Sequence, residues 1–433
     1  MPASDGPSGA ATAGAPRHPS SSLIPAIVAL ATILAIQFGA NMTQIAFGLV
    51  TDTPYQPPNP IARMSLVQSD LRIIHKATQG YLAGAEDYDA VRQYARSHDP
   101  WTRRFPGAPI GYRLVAAMNL LSERAVHWLW LLAVPVCVLV SLLVATRMLV
   151  SAEGGEGRLV FLLTLLVLLA STPFLFQIER GNVDWIAFTL YMTALASLSR
   201  GHSYGSGVLL GMATAVKLYP GFLLPCLLLS RRLKPVLTAL GTMLAVALVT
   251  GPRNNWQWLK TTATDRVSTF GLHPSNAGLA NLIGVLGFSQ SAILASLSYA
   301  IFLLLVVAFL AVVFVRQRRA SVDIGRIGLI AIPFMFLMPL THWAYALFAL
   351  VALLPLLSAL YCERADLRPQ ILAVSALIGV TQAPFVALRC FAVGLSIVMP
   401  LYSACVLALS LLSIWLVARG AADAPRATPA VSV

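Results

Sequence analysis

Apolar runs separated by short polar turns recur along almost the whole chain. Most hold about 17–25 residues, enough for a helix to cross a hydrocarbon core of about 30 Å. No sustained apolar and polar alternation marks a barrel, so the spans are helical. The pattern predicts spans near 127–146, 159–177, 184–199, 235–250, 291–315, 327–340, 343–361, 369–387 and 393–418. From Pro19 to Thr51 no charged residue appears, and that run exceeds the apolar region of a cleaved signal peptide. It is expected to be a retained first span. Two short helices, 204–216 and 218–230, fit between the spans at 184–199 and 235–250. The predicted fold class is all-α: a polytopic integral membrane protein with about twelve spans, the short helix pair included.

Three predicted parts follow. Residues 1–20, rich in Ser, Ala, Gly and Pro, cannot bury a core and form a disordered cytoplasmic tail. Residues 21–419 form one transmembrane domain, within which 52–126 is a long outer loop with juxtamembrane helices. Residues 420–433 form a second cytoplasmic tail.

Composition agrees with the pattern. The 433 residues are 58% hydrophobic, with a mean hydropathy of +0.76. That excludes an ordinary soluble domain. The net charge of +13 would point to nucleic acid in a soluble protein, but the cytoplasmic bias of Lys and Arg accounts for it here, and no nucleic-acid partner is expected. With the N-terminus inside, the inner segments hold 15 of the 30 basic residues, the short outer segments hold 6, and the remaining 9 lie in the long loop. Both termini are therefore expected inside. The five cysteines lie in or beside apolar runs without metal-like spacing, so neither a disulfide framework nor a zinc site is indicated.

The unusual polar residues then collect on the outer side. "FQIERGNVDWIAF", Phe176 to Phe188, packs Glu179, Arg180, Asn182 and Asp184 between two apolar runs. Lys217 in "AVKLYPGF" interrupts a stretch whose two ends both carry inner-type charges, Arg200 on one side, Arg231 and Arg232 on the other. The chain must run out and back, and 12 or 13 residues at about 1.5 Å each do not complete a crossing. Lys217 is therefore expected in a depression below the outer surface. His342 in "PLTHWAYALF" repeats the pattern, and the long loop carries Asp52 and Asp70. Ionisable groups at membrane depth mark functional sites. A carboxylate with cations suits a lipid-linked anion: Lys or Arg holds phosphate, and an aspartate takes a proton from a hydroxyl. Plainer roles stand beside these. Gly181, Asn182 and Asp184 suit a helix stop followed by a first turn, Lys217 can snorkel to headgroups, and His342 with Trp343 can form an interfacial pair. A transporter or flippase for a lipid-linked or anionic solute is the alternative class, although no convincing internal repeat is present.

Four segments resemble glycosyltransferase family 87, a GT-C superfold family of polytopic, polyprenyl-phosphate-sugar-dependent enzymes that includes mannosyltransferases. They are "SDLRIIHKATQGYLAGAEDYD" from Ser69 to Asp89, "RGNVDWIAFTLYMTALASLSRG" from Arg180, "GVLLGMATAVKLYPGFLLPCLLLSRR" ending at Arg232, and "MPLTHWAYALFALVALLPL" around His342. The resemblance implies Asp70 as general base, with Asp52 the alternative, and Arg180 and Lys217 as donor-phosphate ligands. It implies Asn182, Asp184, Tyr219, Asn276 and His342 as substrate-binding residues. Ile73, Ile74 and His75 replace a tyrosine pair usual in the family. The implied enzyme is a hexosyltransferase moving a sugar, mannose foremost, from a polyprenyl-phosphate donor to an envelope glycolipid or polysaccharide on the outer face of the cell membrane. Membrane lipids are its surroundings, and neither a cofactor nor a metal is expected. Direct displacement on a β-linked phospho-sugar would leave an α-glycoside.

Overall fold

A computed structural model of the chain describes residues 22–35, 69–85, 87–98, 108–116, 121, 123–149, 156–170, 183–262, 278–286, 291–338, 346–381 and 395–423. The described elements are helical, and no strand occurs among them; one isolated bridge joins Val322 and Asp423.

α1 is Ile24–Ala35. The long loop contributes α2 (Ser69–Leu82), α3 (Tyr88–His98) and α4 (Pro109–Ala116). α5 (Glu123–Leu149), α6 (Glu156–Ala170), α7 (Asp184–Ser199), α8 (Ser203–Val216) and α9 (Leu223–Leu229) follow, with a 3-10 turn at Tyr219–Phe222. Then come α10 (Leu233–Thr250), α11 (Pro252–Lys260), α12 (Leu279–Val285) and α13 (Ser291–Arg319). α14 (Ile324–Ile330), α15 (Ile332–Phe336), α16 (Ala346–Glu363), α17 (Arg368–Thr381) and α18 (Leu395–Ala418) complete the order.

Length and composition make three of these helical stretches able to cross a membrane: Trp128–Leu149, Leu233–Thr250 and Ser296–Arg319. The pair Leu347–Glu363 and Ala365–Thr381, bent by 120°, adds a fourth if it counts as one span. Four shorter apolar helices, Ile24–Ala35, Arg158–Leu168, Tyr219–Leu229 and Tyr402–Ala418, accompany them. Among the described residues the crossings established in this way are thus three or four; the about twelve read from hydropathy are counted over the whole chain. One expected span, 327–340, is two helices. Pro333 has no N–H for the carbonyl four residues back, and Phe334 N–H bonds Ala331 at 3.0 Å instead, which divides α14 from α15.

The core is a helix bundle in which α16 is almost entirely buried and α7 mostly so. α8 packs closely on α10. Gly207 and Gly211 make that possible, since a Cβ on Gly211 would lie 2.6 Å from the Ala239 carbonyl and one on Gly207 would lie 2.6 Å from Thr238 Cβ. Such four-residue spacing of small residues lets helix backbones approach in membranes. Gly379 does the same for α17 on α1, where a Cβ would lie 2.7 Å from Thr32 Cβ. The Tyr191 hydroxyl of α7 donates to the Gly328 carbonyl of α14 at 2.8 Å.

One end of the bundle is a set of paired charges. Arg326 forks onto Glu363 with two bonds of 2.7 Å, and Asp323 caps α14 by accepting from the backbone of Gly325 and Arg326. Arg316 at the end of α13 pairs with Asp423. Arg364 bonds Asp366 and the carbonyls of Arg419 and Gly420. The Asp366 hydrogen bond also raises the Arg364 pKa above the usual guanidinium value. These contacts carry the packed chain through to Asp423. Gln317 donates to Ser230, and Arg232 reaches the Leu198 carbonyl. So the ends of α7, α9, α13 and α16 share this face with the starts of α10, α14 and α17.

Candidate functional site

The other end of α7 lies about 24 Å away, since its 16 residues rise about 1.5 Å each. There Asp184 is the first helical residue. Val183 precedes it in a helical conformation and supplies no side-chain cap. The carboxylate thus sits at the positive end of the helix dipole, as the first-turn reading of "GNVD" expects.

α8 ends at the same level. Val216 is its last residue, and Lys217 leaves the helix with extended dihedrals of φ −146° and ψ 136°, its N–H bonded to the Ala213 carbonyl at 3.0 Å. Tyr219 starts the short 3-10 turn, and Pro220 sits in its first turn, where a missing N–H costs no hydrogen bond. Gly221 lets that turn fold back on α8, because a Cβ there would meet Thr214 Cγ2 at 2.9 Å.

These local choices bring two predicted residues into direct contact. Lys217 Nζ lies 2.7 Å from Asp184 Oδ1, with Asp184 0% and the Lys217 side chain 25% exposed. The Tyr219 hydroxyl donates to the Asp184 backbone carbonyl at 3.1 Å. An aromatic wall backs the pair: Phe188 stacks on Phe348 at 4.4 Å between centroids, Trp185 meets Phe348 edge-on at 4.7 Å, and Tyr219 lies 6.1 Å from Phe348. Apolar rings around a charged pair lower the local dielectric and strengthen its attraction. Out-and-back travel of the stretch from Tyr204 to Ser230 is also visible. Lys217 lies beside the start of α7, while Arg232, just past the stretch, contacts the end of α7 at Leu198.

The loop helices dock near this end. α2, α3 and α4 form a small packed unit in which Gly80 sits against the Tyr94 ring. Tyr88, Val91 and Ala77 are fully buried, as are most of Ile74 and His75. Asp87 caps α3 through Ala90 N–H at 2.8 Å. Asn254, on α11, is the fastener: its Oδ1 accepts from Tyr88 N–H at 3.0 Å, and its Nδ2 donates to the Thr250 carbonyl at 3.3 Å. Arg113 of α4 donates to the Val249 carbonyl at the end of α10. The loop unit is therefore tied to the end of α10 and touches α8, the helix that leads into Lys217.

Among the nine positions singled out in the sequence, the structure brings Asp184, Lys217 and Tyr219 together. Asp70 is the second residue of α2, in the docked unit. Asp52, Arg180, Asn182, Asn276 and His342 lie outside the described residues. Asn254 was missed; its one signal is a doubled asparagine that begins three residues after Gly251, whose φ of +90° ends α10. Among the described residues no three of His, Cys, Asp or Glu gather as metal ligands. The chemistry at hand is a cation held by a buried carboxylate, able to offer N–H donors to an anion.

The family model of Glycosyltransferase family 87 matches residues 105–339, more than half of the chain. The match includes Arg180, Asn182, Asp184, Lys217, Tyr219 and Asn276; it begins after Asp70 and ends before His342. Neither a curated protein nor a solved structure matches the chain.

Proposed function

The chain belongs to glycosyltransferase family 87, and on that premise we propose that this membrane glycosyltransferase takes its sugar from a polyprenyl-phosphate donor. The acceptor is an envelope glycolipid or polysaccharide, and mannose is the sugar put first. Asp70 is the general base, Lys217 and Arg180 bind the donor phosphate, and Asn182, Asp184, Tyr219, Asn276 and His342 form the remainder of the site. The observation that carries the reading is the Lys217 ammonium, anchored 2.7 Å from a fully buried carboxylate at the end of α7 remote from the paired-charge end.

The chemistry follows from the leaving group. As the bond from the anomeric carbon to the phosphate oxygen breaks, negative charge grows on that phosphate. Cations fixed beforehand stabilise it without having to reorganise. The acceptor hydroxyl attacks the opposite face of the anomeric carbon and passes its proton to Asp70. One displacement inverts configuration, so a β-linked donor yields an α-glycoside. No step requires a metal.

The proposed setting is the cell membrane, with the site on the outer, periplasmic side and the paired-charge end inside. There are about twelve spans; residues 21–419 make one transmembrane domain, with a cytoplasmic tail at each end. Support comes from the basic bias of the inner segments and from Lys217 and Arg232 contacting opposite ends of α7.

The base assignment is tested by transfer of labelled sugar with purified wild type, Asp70→Asn and Asp52→Asn. The expected result is a loss of about 100-fold or more in Asp70→Asn alone, in line with general-base contributions. Full activity in Asp70→Asn with loss in Asp52→Asn would move the base to Asp52.

A further inference from the structure

A lysine on a flexible four-carbon stem binds phosphate well only if something fixes its head. Asp184 meets that need. Its carboxylate has no solvent exposure, whereas a quarter of the Lys217 side chain remains accessible. A phosphate arriving from outside can therefore reach Lys217 and cannot reach Asp184. The link is reinforced from the backbone, since the Tyr219 hydroxyl bonds the Asp184 carbonyl and ties the Lys217 turn to the start of α7. Trp185 and Phe188, on the first turns of α7, close the packing through Phe348.

We propose that Asp184 is a positioning residue for the proposed transfer: it aims the Lys217 ammonium at the donor phosphate and does not itself touch substrate. This rests on the reading of Lys217 as a donor-phosphate ligand. An ammonium has three donors, so one can serve Asp184 while another turns to phosphate. The pair is neutral as a unit; what Asp184 contributes is the location of the cation rather than added positive potential. A purely structural role is the competing account. Asp184 lies at a helix N-terminus and Lys217 just past a helix C-terminus, so each charge is favoured locally by a dipole.

The test combines steady-state kinetics with melting temperature for wild type, Asp184→Asn, Lys217→Met and the double variant, using a polyprenyl-phosphate sugar as varied substrate. Asp184→Asn is expected to lower kcat/KM for the donor by about 10- to 100-fold, the scale of a misplaced catalytic group. In the Lys217→Met background the same change should cost less than about twofold, because no ammonium is left to place. The double variant should also melt higher than Lys217→Met, since no buried carboxylate is stranded, yet transfer no faster. If Asp184→Asn lowers only the melting temperature, the pair is structural. If it costs the same factor with and without Lys217, Asp184 acts independently; either result overturns the proposal. Full transfer by Lys217→Met would instead remove the phosphate role of Lys217 itself, and this inference with it. Should Asp184→Asn fail to fold, comparing Lys217→Met with the double variant still decides: an added kinetic loss in the double refutes the inference.

Discussion

Two glycines on adjacent helices should respond in opposite ways to the same added methyl group. A Cβ on Gly211 of α8 would lie 2.6 Å from the Ala239 carbonyl oxygen, 2.7 Å from Thr242 Cβ and 3.1 Å from Ala239 Cα, whereas ordinary contact begins at 3.4 Å. Two of these three atoms are backbone, so α8 and α10 must part by several tenths of an ångström instead of one side chain turning aside. Overpacking of this kind costs about 1–3 kcal/mol, while alanine returns up to about 1 kcal/mol of helix propensity over glycine. Gly211→Ala should therefore be destabilising by about 1–2 kcal/mol. Gly241, on α10, has nothing within 4 Å of its would-be Cβ, so Gly241→Ala should be neutral or stabilising by up to about 1 kcal/mol. Thermal unfolding of both variants in the same detergent should separate them, Gly211→Ala below wild type and Gly241→Ala at or above it. Equal melting temperatures would refute the close-packed interface. Because α8 ends at Lys217, Gly211→Ala should also slow transfer, which Gly241→Ala should not.

Other parts of the account are open to the same treatment. Asn254→Ala leaves the buried Tyr88 N–H without its acceptor, a loss of about 1–3 kcal/mol; hydrogen exchange in α2–α4 should rise while α13 is unchanged, and no change in α2–α4 would mean the loop unit is held by other contacts. Arg326→Met strands Glu363, and removing one partner of a buried pair costs about 3–5 kcal/mol. The quarter exposure of Glu363 puts this case at the lower end, and Arg326→Met/Glu363→Gln should recover most of the loss in melting temperature. Transfer should persist in excess chelator, and its abolition, restored by added divalent cation, would contradict the metal-free displacement.

The all-helical character of the fold could be read from hydropathy, because each apolar run needs a helix to satisfy its backbone in lipid. The start of α7 at Asp184, the extent of α8 and the turn at Tyr219–Pro220 all carry local signals: an acidic first turn, a short apolar stretch and a proline at a helix start. The break within 324–336 was hidden, since Pro333 stands in an unbroken apolar run and hydropathy does not register a missing N–H. The site was half legible. Lys217 and Asp184 stood out as charges in apolar surroundings, but their pairing joins two helices and no local pattern encodes it. Asn254 looked like an ordinary loop residue, because its importance comes from a backbone N–H on α3, far away in the chain.

The central claim is that the transferred sugar leaves a lipid phosphate. Purified protein in proteoliposomes, given a radiolabelled polyprenyl-phosphate mannose and an envelope glycolipid, should move label to the glycolipid and release one polyprenyl phosphate per sugar. A nucleotide sugar offered in its place should give none. Transfer from the nucleotide sugar, or labelled donor crossing the vesicle membrane intact with no glycolipid formed, would contradict it.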